Sequence, residues 1–558
     1  MKASDFAIER VAADVLVVGG GTAALRAALA AAETGASVRI VSKRRLLEGG
    51  AGAVGRSEIM GVAASLGDSD SVDSPEIHYR DTVAAGGSFC RPDLARILVE
   101  NVPAEIRCLM AWGVPFDQRD GKLLQNKSDY ATYPRNCRVD GRTGYEILSI
   151  LVQRAKALGI PCDEEVMIAR LVPSAHRALG AIGLSTKSTR VILYETKTVI
   201  AACGGAGFLF SRNVVSPEMS GDGYIAALEA GARLINLEFL QFGPGILAAT
   251  PIALSGPFYR IGLRFENSRG EDVLTKQLPH GVASETALAL KVFPFNAEDA
   301  SRFLDIAIFE EQRAGEKVLV RLPKTDQLLR SVPHTCRRIL DAGLSLSEPL
   351  PIGIVLQNFN GGVYMEDQVG RTRVPGLFVA GETAGGLRAP TRPGGNALAE
   401  TLVFGRRAGE AAGRESAELA PARIGDNKTS ALVAQLAEPY LRSKGRSHLQ
   451  IRREIHATAE SFLSVQRWTE GLAQATQRIC ALKAELEAEA AAEGYPSDYL
   501  TTHNLARVAE LIATVAAKRE ETRGAHCRRE YEGRRDELNH PFMIEATEDG
   551  LRVEAVRI

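Results

Sequence analysis

Asp14-Val15-Leu16-Val17-Val18-Gly19-Gly20-Gly21-Thr22-Ala23-Ala24 decides how this chain folds. Val15 to Val18 is a short apolar run of the kind buried on both faces of a parallel sheet, and it breaks at three glycines. The stretch from Thr22 to Thr34 is rich in alanine and stops at Gly35, which predicts a helix with a glycine after its last turn. Gly19, Gly21 and Ala24 fit the pattern G-x-G-x-x-[G/A], in which small residues let backbone amides and a helix N-terminus approach a pyrophosphate. A lone match is weak evidence. Set between a clean strand and a clean helix, this one reads as a nucleotide site, with Thr22 and Ala23 in the turn itself.

Working outward, Ser37 to Val41 is the second strand. Its end normally offers an acidic residue to a ribose, whereas here Ser42-Lys43 follows, and a serine can still exchange hydrogen bonds with a hydroxyl. Residues 49–63 are rich in glycine and alanine, too poor in large side chains for a core element and suited to backbone lying against a ligand. Thr198 to Ala202 before Gly204-Gly205, and Gly376 to Ala380 before Gly381, repeat the strand-then-glycine pattern, so three strand ends are expected at one crevice. Residues 240–345 change to mixed strands, short helices and prolines, the composition of an inserted domain. From about 425 to 525 apolar residues recur at helical spacing, as in Leu463, Val465, Trp468, Leu472, Ala475 and Ile479, and 481–492 reads as an exposed helix.

The bulk composition narrows the classes of function. A chain of 558 residues exceeds one hydrophobic core. Its 67 basic and 68 acidic residues give a formal charge of −1, so no global field recruits nucleic acid or an anionic membrane. The eight cysteines show no CxxC pair for zinc or an iron-sulfur cluster and read as reduced structural thiols; no metal is expected. The polar N-terminus and the lack of an apolar run of about 18 residues predict a cytoplasmic protein with no direct membrane insertion.

Further landmarks are Gly221-Asp222-Gly223 before Glu238 to Phe242, Gly361-Gly362 before Pro375-Gly376-Leu377, and Ala380-Gly381-Glu382. They continue with Arg392-Pro393-Gly394-Gly395-Asn396-Ala397-Leu398, Val403 to Arg406, and Arg523 to His526 with Arg528 and Tyr531. Together these resemble the succinate dehydrogenase/fumarate reductase flavoprotein family, which includes L-aspartate oxidase, over nearly the whole chain. The resemblance implies an α/β fold: a Rossmann-like FAD-binding domain in two pieces (1–239 and 346–424), an inserted α+β capping domain (240–345), and a C-terminal helical domain with a tail (425–558). It also implies FAD contacts at the first glycine turn, Asp222, Glu382, Asn396, Ala397 and Leu398. Family members that attach FAD covalently use a histidine after the second strand; that position falls near Gly50 and no histidine precedes His78, so non-covalent FAD is expected.

In the family a dicarboxylate is held by two arginines and two histidines. The resemblance makes Arg392 the carboxylate-binding arginine, whose planar fork suits two parallel hydrogen bonds. Arg302 is the corresponding candidate for proton transfer, although Phe303 stands where an aspartate is expected. The two histidine positions hold Gly243 and Gln357, and the Thr-Glu pair of the cap becomes Ser255-Gly256. A site stripped of both imidazoles should not keep succinate chemistry, and Gly243 suggests room for a bulkier ligand over the flavin. The expected activity is therefore FAD-dependent hydride transfer to or from a small carboxylate-bearing substrate other than succinate or fumarate. The alternatives are an oxidase of the L-aspartate oxidase type and a catalytically altered flavin-binding component of a larger assembly. An iron-sulfur or other electron-transfer subunit is a partner the resemblance implies.

Overall fold

Val15–Val18 lies fully inside a five-stranded parallel sheet, flanked by Thr198–Ala201 on one side and Val38–Ser42 on the other, with Leu377–Val379 and Cys162–Glu164 at the edges. The computed structural model describes residues 2–558 except 56, 59, 175, 176, 280, 281, 301, 389, 443, 444 and 549. Val18 pairs with Ala201 and Ala201 with Val379, so the three expected strand ends meet at one edge of the sheet. Parallel strands in register deliver their C-terminal turns to the same side, and that side is where ligands bind in such folds.

Helix Thr22–Ala32 leaves this edge and packs along helix Asn396–Ser416. The approach is set by small residues four apart. A Cβ at Gly405, Gly409 or Gly413 would fall 2.8, 2.2 or 3.1 Å from the carbonyl oxygens of Ala23, Ala27 and Ala31 respectively. With backbone against backbone, the two helices bring their N-termini to the same crevice although their sequences lie far apart.

Three further sheets of four or five strands complete the scaffold. Ala7–Ala12, Arg190–Glu195, Leu179–Ser185 and Val166–Pro173 form one beside the nucleotide edge. Leu240–Ile246, Ile252–Ala253, Leu350–Phe359, Val318–Arg321 and Arg264–Asn267 form the sheet of the cap, with helices Arg302–Arg313 and Pro333–Asp341 connected to it. Gly362–Tyr364 and Leu234–Ile235 join the hairpin Phe542–Thr547/Gly550–Ala555. The tail of the C-terminal region is therefore not helical: it returns as two strands to the sheet behind the crevice.

The helices His448–Phe462, Thr469–Ala488 and Pro496–Lys518 pack together as a bundle. The apolar stripe read as one helical face is interrupted. Leu463, Val465 and Trp468 lie in the connection between two helices, while Leu472, Ala475 and Ile479 are buried on the second. The segment expected to be an exposed helix ends at Ala488 and buries Leu482, Leu486 and Ala490; its alanine-glutamate composition hid an apolar face. Among the described residues no helix is long and apolar enough to cross a membrane, and no His/Cys/Asp/Glu cluster suited to a metal ion occurs.

Candidate active site

A long cavity opens at the strand edge, and its walls come from the first glycine turn, residues 49–55, the turn before helix Asp222–Glu229, the loop after Val379, and the cap. Gly19 sits at φ +133, and a Cβ there would fall 2.2 Å from the Ala202 carbonyl oxygen, so only glycine fits. Ala24 is completely buried and its Cβ lies 3.3 Å from that same point. It lets helix and strand close on each other and does not reach the cavity, so its expected ligand contact is corrected to a packing role. Gly21 is the N-cap of helix Thr22–Ala32 and supplies no side-chain cap, and the buried Thr22 hydroxyl has no partner among the described residues. Uncapped first-turn amides and an orphaned hydroxyl make a ready anion site.

Gly50 and Ser42 line the same end. The Gly50 N–H donates to Glu218, a cavity carboxylate that the sequence reading missed although it stands three residues before Gly221-Asp222-Gly223. Lys43 and Asp222 also line the wall, yet they are committed to each other: the Lys43 Nζ lies 2.8 Å from the Asp222 carboxylate and donates to the Ser220 and Thr501 hydroxyls, while Asn504 donates to Asp222 at 2.9 Å. Lys43 therefore orients Asp222 instead of standing as a free cation.

At the other end of the cavity the helix Asn396–Ser416 presents a second uncapped N-terminus, behind Gly395 in the left-handed region, with Ala397 and Leu398 in the wall. Asn396 itself points away. Its side-chain oxygen meets His78 Nε2 at 2.8 Å and its amide donates to Thr82, so the expected cofactor contact is corrected to that of a bolt fixing the helix start. Glu382 accepts from the Phe359 N–H at 2.9 Å, and burial raises its pKa against the pull of Arg388.

Arg388 escaped the sequence reading although it stands only four residues before Arg392. Its guanidinium is consumed by the protein, donating to the carbonyls of Phe359, Gly381 and Ala384 and pairing with buried Glu400 at 2.8 Å. Burial pushes the Glu400 carboxyl up to about 7 despite that cation. Arg392 is the opposite case. It lines the cavity, makes no hydrogen bond or ion pair with the described residues, and its buried Nε is orphaned. Burial and then the Arg388 cation pull its pKa down to about 10. An unmatched guanidinium beside a second cation is a receptor for an anion.

Residues 14–398 match the family described as FAD binding domain, and residues 452–557 match the fumarate reductase flavoprotein C-term. This chain belongs to the fumarate reductase/succinate dehydrogenase flavoprotein family. It is 31% identical over 549 residues to a subunit of the CoM/CoB fumarate reductase of Methanothermobacter marburgensis, covering 95% of this chain and 96% of that one. It is also 31% identical over 562 residues to the L-aspartate oxidase of Streptomyces coelicolor, covering 94% and 90%. A solved E. coli quinol fumarate reductase superposes with a TM-score of 0.84 at 26% identity, covering 99% of this chain and 97% of that one. The chain is thus a flavoprotein oxidoreductase that uses FAD. The cavity fits the cofactor: one uncapped helix N-terminus and the orphaned Thr22 hydroxyl suit the pyrophosphate, and a second uncapped N-terminus suits the negative charge of a reduced flavin.

At the substrate end two expectations change. Arg302 opens the cap helix Arg302–Arg313, but its guanidinium donates to the Ala297 carbonyl at 3.0 Å, lies over the Phe303 ring, and is not part of the cavity wall. The helix start turns it away, so the cavity geometry adds no support to the role in proton transfer that the resemblance implies. Gly243 does not leave room for a larger ligand. A Cβ there would meet the Phe293 ring at 2.3 Å, so an aromatic side chain from another part of the cap fills the space and itself lines the cavity. Ser255 and Gln357 do line it, and the Ser255 hydroxyl and the Gln357 side-chain oxygen are buried without partners among the described residues. Ser128, Asp129 and Tyr130 also line it; they belong to a polar loop that shows no motif in the sequence.

Proposed function

We propose that this flavoprotein moves a hydride between its cofactor and a carbon near the carboxylate of a small organic acid, with a site shaped for neither succinate nor fumarate. The Arg392 guanidinium carries this reading: it is a half-buried cation that forms no ion pair or hydrogen bond with the described residues, at the mouth of a second uncapped helix. FAD supplies the hydride donor or acceptor when bound. Arg392 holds the substrate carboxylate, Arg388 and Glu400 are paired with each other and leave it free to do so, and Phe293 excludes water from one side. Fixing the acid in this way converts an encounter into a near-attack arrangement. An electron-transfer partner is part of the reading, supported by relatives that are themselves named as subunits. Anaerobic bleaching of the flavin against a panel of carboxylic and amino acids tests it. Arg392→Ala should abolish bleaching by the acid that works while FAD stays bound, and unchanged bleaching in that variant would overturn it.

A second reading draws on the Gln357 oxygen. An orphaned acceptor in the same cavity as a carboxylate-binding arginine suits a substrate ammonium group, and the similarity to an L-aspartate oxidase points the same way. Peroxide formed on adding an amino acid in air separates this oxidase from a dehydrogenase.

A further inference from the structure

Hydride chemistry at carbon needs a proton to come or go, and with Arg302 turned away the cavity needs another group for it. The wall contains one carboxylate placed for the task. Asp129 lines the cavity on a loop tied down from two directions: the Ser128 hydroxyl donates to the Gly394 carbonyl at 3.0 Å, and the Gly394 N–H donates to the Asp129 carbonyl at 3.2 Å. From the cap, the Phe293 N–H donates to Asp129 Oδ2 at 3.3 Å. The other carboxylate oxygen has no hydrogen-bond partner among the described residues, so one structural contact does not account for the group. The next residue, Tyr130, is held at φ +62, a conformation that a bulky side chain adopts at a cost and that concentrates at functional sites.

The decisive placement concerns Gly256, the cap position where the family resemblance leads one to expect a carboxylate. A Cβ built on Gly256 lies 3.5 and 3.6 Å from the two Asp129 carboxylate oxygens and 3.6 Å from Arg260 Nη1. Asp129 therefore fills, from a different segment, the space that a cap side chain would occupy. Arg260 beside it is exposed, so a cavity carboxylate and a solvent-facing guanidinium flank one point.

We propose that Asp129 carries the proton of the reaction and exchanges it with solvent past Arg260. In the reducing direction the Asp129 O–H bond breaks as a C–H bond forms at the carbon next to the one that takes the hydride, and the carboxylate regains its proton from water; oxidation runs the same transfers backwards. The surrounding charges suit a group that must change state. Burial dominates and raises the Asp129 pKa, Arg260 and Lys291 favour the carboxylate, and Asp299 opposes it. Lys291 is itself held by buried Asp305 at 3.0 Å, so it is a fixed neighbour and not a competing proton donor.

This assignment rests on the hydride-transfer reading for its chemistry, but the state of Asp129 can be read without a substrate. Infrared titration of the FAD-loaded protein, taken as wild type minus Asp129→Asn so that the bands of Glu382, Glu400 and Asp305 cancel, should show one carboxyl protonating above the ordinary aspartate range. With the acid selected by the bleaching panel, Asp129→Asn should lower kcat about 100-fold with KM nearly unchanged, in line with the usual weight of general acid-base catalysis. Asp129→Glu should recover part of the rate, and Arg260→Gln should displace the pH profile of kcat while FAD stays bound. A wild-type-minus-Asp129→Asn difference that shows no titrating carboxyl, or an Asp129→Asn variant with wild-type kcat, would overturn the proposal. If no acid bleaches the wild-type flavin, the hydride-transfer reading falls, whereas the infrared result still decides whether Asp129 holds a proton.

Discussion

At the scale of single residues, the site is governed by what fills each vacated space. Gly243 shows from the sequence that an imidazole is missing, yet the consequence depends on Phe293, fifty positions later, whose ring touches the point where a Cβ would stand. Adding even one methyl group there forces the ring from its place, and overpacking of this kind costs about 1–3 kcal/mol. Gly243→Ala should lower stability by that amount in urea unfolding, and Phe293→Ala in the same chain should restore part of it; a Gly243→Ala protein as stable as wild type would mean that the ring yields freely. The same separation explains which site residues were legible. Arg392, Glu382, Ala397 and Leu398 sit in the motifs that carry the family resemblance. Asp129 and Phe293 are single residues in ordinary loops, Glu218 falls just outside the Gly221-Asp222-Gly223 landmark, and Arg302 stands where the resemblance puts it but its guanidinium turns to the Ala297 carbonyl.

At the scale of elements, strand and helix around the first glycine turn were readable because apolar runs, alanine and glycine all agree there. The pairing of helix Thr22–Ala32 with Asn396–Ser416 was not, since Gly405, Gly409 and Gly413 gain meaning only beside Ala23, Ala27 and Ala31. The second helix is further fixed by the chain from Asn396 to His78 and Thr82 on helix Pro75–Gly86. His78 is fully buried, and burial lowers its pKa from 6.5 to about 4. Between those values the unfolded chain binds a proton that the native one refuses, so stability rises with pH through the window and is lost as pH falls from 6.5 toward 4. The shift corresponds to about 3 kcal/mol in all. Urea midpoints at pH 7 and pH 4.5 should therefore differ less in His78→Gln, whose amide can still donate to Asn396, than in wild type. Equal acid losses in the two proteins would show that His78 does not carry this dependence.

At the scale of the whole molecule, the cofactor site is assembled from pieces that no single stretch contains. The end suited to a pyrophosphate comes from the first glycine turn and residues 49–55, the end suited to a flavin from Glu382, Arg388, Arg392 and Gly394 to Leu398, and the two are joined through the sheet in which Val199 pairs with both Leu16 and Leu377. Nothing at Gly50 can bond covalently to a flavin: a Cβ there would meet only the Gly21 Cα, at 3.9 Å. FAD should therefore hold the pieces together by binding alone, and its loss should loosen both ends at once. Precipitating the protein with acid should leave the yellow colour in the supernatant, and the stripped protein should unfold more easily than the loaded one. Free FAD at about 100 times its Kd should return about 2.7 kcal/mol of stability by mass action, seen as a concentration-dependent rise in Tm. Colour that stays with the denatured chain would establish a covalent link at some other residue, and a Tm indifferent to added FAD would mean that the two halves of the site close without it.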